Sequence, residues 1–365
     1  MTNLYFFHLR ACYSIFQNFF CAGIQFFVVL NSYDISSKKS EYVYTERTRT
    51  HFLEDKTMTE KTRIQIEEMK KQTIGVEIEM SNISRHIACQ TVAAYFGTTG
   101  TVRYTGGFYE KWTCKDSKGR IWTTMSDGSL RGSETAELVT PILTYDDIPD
   151  LQEIVRQLRH KGAISNPNHG CGVHIHIGAN GHTAKSLRTL ANIMASHEKL
   201  IAKAINIAQS RMSHYCKVID PNFLQRLNSR KPNTMSGLAN VWYGDNTDGR
   251  NQHYHSSRYH MLNLHATFTK GTIEFRLFQF DNPGNGRRGG LHAGQLKSYI
   301  QLCLAMSHLA KIQRGASPRQ QQQENPKYAM RTWLLRLGFI GDEFKTARDL
   351  FTKRLDGDTA FRHGR

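Results

Sequence analysis

The sequence has no internal repeat, no excess of proline or glycine and no paired cysteines, and each absence excludes a class of protein. Eight Pro and 28 Gly among 365 residues exclude a collagen-like or low-complexity chain. The lack of any period of roughly 33 to 45 residues excludes a solenoid. Seven scattered Cys form no C-x-x-C pair, so we expect reduced thiols in a cytosolic protein rather than a disulfide framework or a structural zinc site.

Acidic residues are scarce relative to basic ones. The chain has 31 Asp and Glu against 48 Lys and Arg, a net charge of +17, which favours anionic partners such as nucleic acid, a membrane surface, a nucleotide or an acidic substrate. Residues 1–72 carry +2, residues 73–180 carry −1 and residues 181–365 carry +16. This uneven distribution predicts a metal-binding half followed by an anion-binding half.

The N-terminal segment differs from the rest of the chain. Residues 11–33 are uncharged and aromatic-rich, about long enough to cross a bilayer, but three amide side chains interrupt them and no clear signal-cleavage site follows. A dispensable leader, a membrane anchor and an export signal all stay open. If the stretch inserts, Lys38 and Lys39 place the following chain in the cytoplasm. We therefore expect residues 1–72 to be a leader and linker outside the domain formed by residues 73–365.

Patterning after residue 72 predicts an α+β fold with a mainly antiparallel sheet, because strands are grouped early and helices late. Strands are predicted at 73–80, 137–143, 171–178, 259–268 and 272–280, with a series of hairpins at 101–126. Helices are predicted at 183–209, 290–312, 326–337 and 342–355. The last two strands are predicted to pair around a turn at Lys270 and Gly271. Residues 228–257 are predicted to be irregular.

Two carboxylates occupy one face of the first predicted strand. Glu77 and Glu79 are separated by one residue, so their side chains project to the same side, where they repel each other unless a cation or separate partners hold them. Hard divalent ions such as Mg²⁺ bind such oxygen ligands. The alternative is the solvent-facing side of an edge strand.

The same alternation recurs on later strands. His174 and His176 share a strand face, where such a pair either binds a metal or has a structural role in the strand. Glu274 and Arg276 share a face of another strand, where a simple ion pair is the alternative. Glu137 lies in an apolar strand, in which an unpaired charge is costly. Together these patterns predict a charged sheet face on which carboxylates hold Mg²⁺ and Arg276 binds phosphate oxygens.

Six short segments occur in an order that resembles the amidoligase family, a branch of the carboxylate-amine ligases whose catalytic domain is like that of glutamine synthetase and glutamate-cysteine ligase. The segments are GVEIEM, SDGSL, ELVTPIL, CGVHIHIG, RYHMLNL and TIEFRLF. The resemblance extends from about Thr73 to the C terminus, including GDTAFR, and does not cover residues 1–72. It implies a curved, mainly antiparallel sheet of the glutamine synthetase type, backed by helices and followed by a helical C-terminal part.

The resemblance also implies an activity: ATP- and Mg²⁺-dependent formation of an amide bond through an acyl phosphate, with Mn²⁺ as an alternative ion. The implied metal ligands are Glu77, Glu79, Glu137, His174 and Glu274. The implied nucleotide contacts are His174, Asn263 and Arg276, and the implied catalytic residues are Asp127, Arg258 and Arg276. No role is implied for His176, Glu134, Arg211 and Tyr215.

Two other classes of protein stay open. A metal-dependent phosphodiesterase or hydrolase would use the carboxylates and the histidine pair without ATP. A nucleic-acid-binding protein would use the basic C-terminal half, but most aromatic residues fall at core spacing, which disfavours a stacking surface. We expect a small-molecule or peptide carboxylate and an amine as substrates, a cytoplasmic location, and membrane contact only through residues 11–33.

Overall fold

The computed structural model describes residues 58–360, except 131, 133, 245, 246, 282–289 and 321–323. The stretch at 11–33 and the end of GDTAFR lie outside the described residues. Within the described ranges, no helix combines the length and the apolar character that crossing a bilayer requires.

An eight-stranded sheet forms the centre of the described chain. The strands are β1 (Ile74–Ser81), β2 (Arg103–Gly106), β3 (Lys111–Lys115), β4 (Ile121–Met125), β5 (Thr135–Val139), β6 (Val173–Gly178), β7 (Leu262–Asn263) and β8 (Thr272–Phe278). Their order is β2-β3-β4-β5-β1-β6-β8-β7, and each neighbouring pair runs antiparallel. The predicted α+β class with a mainly antiparallel sheet is confirmed.

Helices cover one face of this sheet and form the C-terminal part. They are α1 (Glu60–Lys70), α2 (Arg85–Tyr95), α3 (Ile148–His160), α4 (Ala184–Ile205), α5 (Gln209–His214), α6 (Pro221–Arg230), α7 (Met235–Tyr243), α8 (His265–Lys270), α9 (Ala293–Ile312), α10 (Pro326–Arg336) and α11 (Lys345–Thr352). Helix α9 is buried on nearly every side because α1, α3, α4 and α11 surround it, while it also contacts β6. Helix α2 packs against β3, β4 and β5.

Strand β1 shows why the sheet has two unlike faces. Val76, Ile78 and Met80 are at most 1% exposed and belong to the core. Alternation of side chains along the strand sends the intervening Glu77 and Glu79 to the opposite face. The apolar face therefore packs on helices, and the other face is left for charged groups.

The region before β8 differs from the prediction. The predicted antiparallel pairing with β8 is present at Leu262 and Asn263. Helix α8 takes up residues 265–268 of the predicted strand, so the predicted turn that would join the two strands directly is wrong. The side-chain oxygen of Asn263 accepts the backbone N–H of His265, 2.8 Å away, and turns the chain into the helix. Gly271, with φ of 71°, ends it, a backbone conformation that glycine adopts without strain.

One more helix departs from the sequence-based expectation. Helix α7 forms within residues 228–257, because Thr234 caps its first turn and its apolar residues pack into the core. Helix α1 lies within residues 1–72, and its Ile66 and Met69 are buried in the core beside α9.

Candidate functional site

The strand register gathers the charged residues on the sheet face opposite the helices. The facing pairs are Glu77 with His174, Glu79 with Glu137, His176 with Glu274, and Glu274 with Asn263. We call the side chains of Glu77, Glu79, Glu137, His174, His176 and Glu274 the acidic cluster. It spans four adjacent strands, β5, β1, β6 and β8, and except for Glu77 its side chains belong to buried residues.

Glu77 lies between the two histidines. Its Oε2 is 3.1 Å from His174 Nδ1, and its Oε1 is 3.3 Å from His176 Nε2. The other ring nitrogen of His176, Nδ1, is 2.9 Å from Thr272 Oγ1, which fixes the orientation of the ring. His176 Nε2 is buried and makes no hydrogen bond within the described part of the chain, so a lone pair or proton there faces the carboxylates.

Glu274 is held from both sides. Its Oε1 accepts a hydrogen bond from Arg276 Nη1, and its Oε2 accepts one from Asn263 Nδ2 at 2.6 Å. Because Asn263 also begins α8, the side-chain position of Glu274 depends on that helix. The carboxylate, the amide and the guanidinium thus form one rigid group at the edge of the acidic cluster.

Asp127 extends the acidic cluster beyond the sheet. It lies in the loop after β4, where its Oδ1 accepts the backbone N–H of Ser129 at 2.7 Å. Oxygen atoms of Asp127, Glu79 and Glu137 lie within 4.8 Å of one another. The loop therefore adds a fourth carboxylate-bearing segment to the three that the strands supply.

Charges within the site set the ionisation of its groups. Burial disfavours the charged form of Glu77, yet His176 and His174 outweigh it and hold the pKa of Glu77 well below its ordinary value. Burial likewise opposes ionisation of Glu274, but Arg276 and His176 lower its pKa to about 2. The two carboxyls are therefore anionic at neutral pH.

Glu137 behaves in the opposite way. Burial and the negative charges of Glu77 and Glu79 raise the pKa of the Glu137 carboxyl well above its ordinary value. A carboxyl in this situation either keeps its proton or needs a cation beside it. Glu137 is thus the member of the acidic cluster that is least compensated by the protein itself.

These groups fit a hard divalent cation. Three sets place their ligand atoms within 4.8 Å of one another, namely Glu77 with Glu137 and His174, Glu77 with His176 and Glu274, and Glu79 with Asp127 and Glu137. Oxygen-rich donor sets of this kind suit Mg²⁺ and Mn²⁺. The raised pKa of Glu137 and the buried Nε2 of His176, which faces the Glu77 carboxylate at 3.3 Å, are further signs of the same fit.

Arg258 lies beside the acidic cluster rather than in it. Its guanidinium carbon is 5.1 Å from the centre of the Tyr254 ring and 5.8 Å from that of Tyr259, and the guanidinium of Arg276 is 5.9 Å from the same Tyr259 ring. Among the described residues, no carboxylate forms an ion pair with Arg258. Two guanidinium groups therefore lie near one tyrosine ring, where they can receive anionic oxygens.

A cavity of about 410 Å³ reaches the acidic cluster. Glu77 and His176 lie in its wall together with Gly75, Thr140 and Lys270. Lys270 Nζ is 3.8 Å from Glu77 Oε1 and is half exposed. A larger cavity of about 730 Å³ lies among α4, α9 and α10, but no carboxylate or histidine of the acidic cluster lines it.

The structure brings nearly all the predicted site residues together. The predicted metal ligands lie on one sheet face, and Asn263 and Arg276 adjoin them through Glu274. The guanidinium groups of Arg258 and Arg276 lie 5.8 and 5.9 Å from the centre of the Tyr259 ring. His176, which the sequence left without a role, is central, and the alternation of GVHIHI was the signal that could have found it. Lys270 and Arg211 could not be predicted from alternation along the strands, because they lie on helices α8 and α5.

The fold and the site define an α+β protein with a buried, charged site on one face of an antiparallel sheet. The chain matches the sequence profile of the family described as "putative amidoligase enzyme" over residues 70–307. This match covers more than half of the chain, and the chain belongs to that family. The predicted family is therefore confirmed, and with it a ligase-type enzyme.

Other comparisons add little. A search of curated proteins gave no match. Among solved structures, the chain is similar to the crystal structure of a bifunctional glutathione synthetase from Pasteurella multocida, with 11% identity over 80% of this chain and 48% of that chain and a TM-score of 0.40. The chain spans about half the length of that protein, and a similarity of this degree carries no argument.

Proposed function

We propose that the protein is an ATP-dependent carboxylate-amine ligase, which joins a small-molecule or peptide carboxylate to an amine through an acyl phosphate. The observation that supports this most is the sheet face itself, where buried carboxylates, imidazoles and a guanidinium converge in a member of the amidoligase family. A carboxylate is a poor acyl donor, and phosphorylation by ATP supplies the leaving group that amide formation needs.

Glu77, Glu79, Glu137, His174 and Glu274 are the proposed ligands of Mg²⁺ or Mn²⁺, and His176 joins them. When bound, the ion would neutralise phosphate charge and help to align the phosphate oxygens for transfer. The family resemblance and the acidic cluster support this assignment.

The basic groups are proposed to bind the phosphates. The Arg276 guanidinium is buried and presents Nε without a hydrogen-bond partner in the described part of the chain, so it can donate to the transferred phosphoryl group. Arg258, which lies near the same Tyr259 ring as Arg276, can contact another phosphate or the substrate carboxylate. Asn263 holds the Glu274 carboxylate, and it is proposed to contact the nucleotide phosphates as well.

The proposed reaction has two steps. A carboxylate oxygen of the substrate attacks the γ-phosphorus of ATP, the bond from that phosphorus to the β–γ bridging oxygen breaks, and ADP leaves. The amine nitrogen then attacks the acyl carbon, the bond to phosphate breaks, and inorganic phosphate leaves. Asp127, on the loop beside Glu79 and Glu137, is proposed to accept the proton that the nitrogen loses.

Burial of the site supports this chemistry in two ways. Electrostatic interactions between Arg276 and phosphate oxygens are stronger where water is excluded. Exclusion of water also limits hydrolysis of the acyl phosphate before the amine arrives. No nucleophilic side chain is required, and burial raises the pKa of the Cys171 thiol to about 11, which leaves it protonated.

The test is ADP release by the full chain with Mg²⁺-ATP and panels of amino acids and peptides as carboxylate and amine, with each amide product identified by mass. We expect ADP and amide in equal amounts for at least one pair. Glu77→Gln should abolish both, whereas Glu67→Gln, a change at an exposed glutamate of α1, should abolish neither. Metal-dependent hydrolysis of phosphodiesters without any ADP release would instead support a hydrolase and overturn the proposal.

A further inference from the structure

A buried guanidinium that belongs to none of the strands lies beside Glu79. Arg211 lies in helix α5 and is 1% exposed. Its Nη1 is 3.8 Å from Glu79 Oε2. The other oxygen of Glu79, Oε1, is 3.9 Å from His174 Nε2. The two oxygens of one carboxylate therefore face different partners.

The same guanidinium connects three separate segments. Arg211 Nη2 donates to the backbone oxygen of Arg276 at 3.0 Å, and Nη1 donates to the backbone oxygen of Gly170 at 3.3 Å. Arg276 is on β8, Gly170 lies in the turn before β6, and Glu79 is on β1. A planar group with several fixed donors can join such points in one geometry, which an ammonium group cannot do.

Gly172 makes this arrangement possible. Its backbone N–H donates to Glu79 Oε2, and its backbone oxygen accepts the N–H of Glu79 at 3.1 Å. A Cβ atom at Gly172 would lie 2.1 Å from Arg211 Nη1, so any side chain there must displace the guanidinium. A side chain at residue 172 and the observed position of the Arg211 guanidinium therefore exclude each other.

We propose that Arg211 is a positioning residue. It holds the Glu79 carboxylate with Oε2 toward Gly172 and Arg211 and with Oε1 toward His174, and it also fixes the backbone of Arg276. Arg211 touches none of the proposed reacting atoms. This inference rests on the metal site of the proposed function, because it concerns how Glu79 is presented to a divalent cation.

A purely electrostatic role predicts the opposite effect on metal binding. The charge of Arg211 repels a cation in the acidic cluster, so its removal alone would strengthen binding. Loss of positioning would weaken binding, because Glu79 Oε2 would then be free to rotate away from Gly172. The sign of the change in affinity therefore separates the two roles.

The experiment is titration of the full chain with Mn²⁺ alone, followed calorimetrically and by the electron paramagnetic resonance signal of free Mn²⁺. Arg211→Lys, which keeps the charge, and Arg211→Gln, which removes it, should both raise the Kd for Mn²⁺ by about tenfold or more, the usual effect of losing a group that orients a ligand. Gly172→Ala should change the Kd in the same direction. Thermal unfolding of each variant reports whether it is folded.

Arg348→Lys is the matched control. Arg348 Nη1 also donates to two backbone oxygens, those of Phe339 and Gly341, but none of these three residues belongs to the acidic cluster. We expect its Kd for Mn²⁺ to equal that of the wild type, whatever its effect on stability.

Several results would overturn the proposal. Tighter Mn²⁺ binding by Arg211→Gln would leave only an electrostatic role, and affinities within about twofold of the wild type for both Arg211 variants would leave no role at the site. Loss of cooperative unfolding in all three variants would make Arg211 a residue needed for folding only. If the wild type binds Mn²⁺ but releases no ADP with any substrate pair, the ligase proposal fails while the role of Arg211 can still be read from Mn²⁺ affinity.

Discussion

The two faces of the central sheet are built from the same strands but have opposite relations to stability. On β1, Ile78 is fully buried against the helices, while Glu77, the preceding residue, belongs to the acidic cluster. Burial of Ile78 lowers the free energy of the folded state. Burial of neighbouring carboxylates raises it. The helix-covered face therefore stabilises the fold, whereas the buried charges of the other face lower its stability.

The largest expected effect tests the charged face. Glu137→Gln removes a carboxyl whose pKa is raised by burial and by Glu77 and Glu79, so we expect ADP release to fall at least about 100-fold, the upper range for losing a group at a metal site. The Tm of the metal-free protein should stay the same if the Glu137 carboxyl keeps its proton there, and should rise if it is charged, because the amide is neutral. A marked fall in Tm, measured by calorimetry without added metal, would contradict this comparison of faces.

The next effect tests the helix-covered face. Ile78→Ala leaves a cavity in a fully buried part of the core, which should lower the free energy of unfolding by about 2–5 kcal/mol. The kcat per folded molecule should remain unchanged, since no atom of the acidic cluster is altered. Urea unfolding gives the first quantity and steady-state ADP release below the unfolding range gives the second. A large loss of kcat in folded protein would show that the faces are not independent.

A third prediction concerns an acid in the helix layer. Burial raises the pKa of Glu198 to about 7 from 4.5, although the Ile219 N–H favours the carboxylate. Because the folded pKa is the higher one, its stabilising contribution is complete below about pH 4.5 and is lost as pH rises to about 7. The loss is at most about 3 kcal/mol.

Glu198→Gln should lack this loss, so its stability relative to the wild type should increase between about pH 4.5 and 7. Urea unfolding at several pH values measures the difference. A difference that does not change with pH would mean that Glu198 ionises in the folded protein as it does in the unfolded chain.

The smallest effect is expected at the rim of the charged face. Lys270 is half exposed and 3.8 Å from Glu77, and ion pairs of this kind contribute about 0–1 kcal/mol. Lys270→Met should change Tm very little and should tighten Mn²⁺ binding by no more than about fivefold, because one positive charge is removed. The difference in Mn²⁺ affinity should shrink in high salt. Weaker binding would show that Lys270 has a structural part in the site.

Alternation within single strands could be predicted, but contacts between strands could not. The spacing of Glu77 with Glu79, and of Glu274 with Arg276, predicted shared faces, and each pair does lie on the charged face of the sheet. The register that sets Glu79 opposite Glu137 depends on pairing between segments about 60 residues apart, and no local pattern specifies it. Helix α8 was missed because Asn263 turns the chain through a side-chain hydrogen bond.

The alternating strands, the order of the motifs and hence the family could be predicted from the chain alone, since these depend on neighbouring residues. The packed structure was needed to show which carboxylates meet, why Glu137 is poorly compensated, and that Arg211 lies beside Glu79. This is because electrostatic energy depends on distances of a few ångströms. Such distances between Arg211, Gly172 and Glu79 exist only after helix α5, the turn before β6 and strand β1 have packed together.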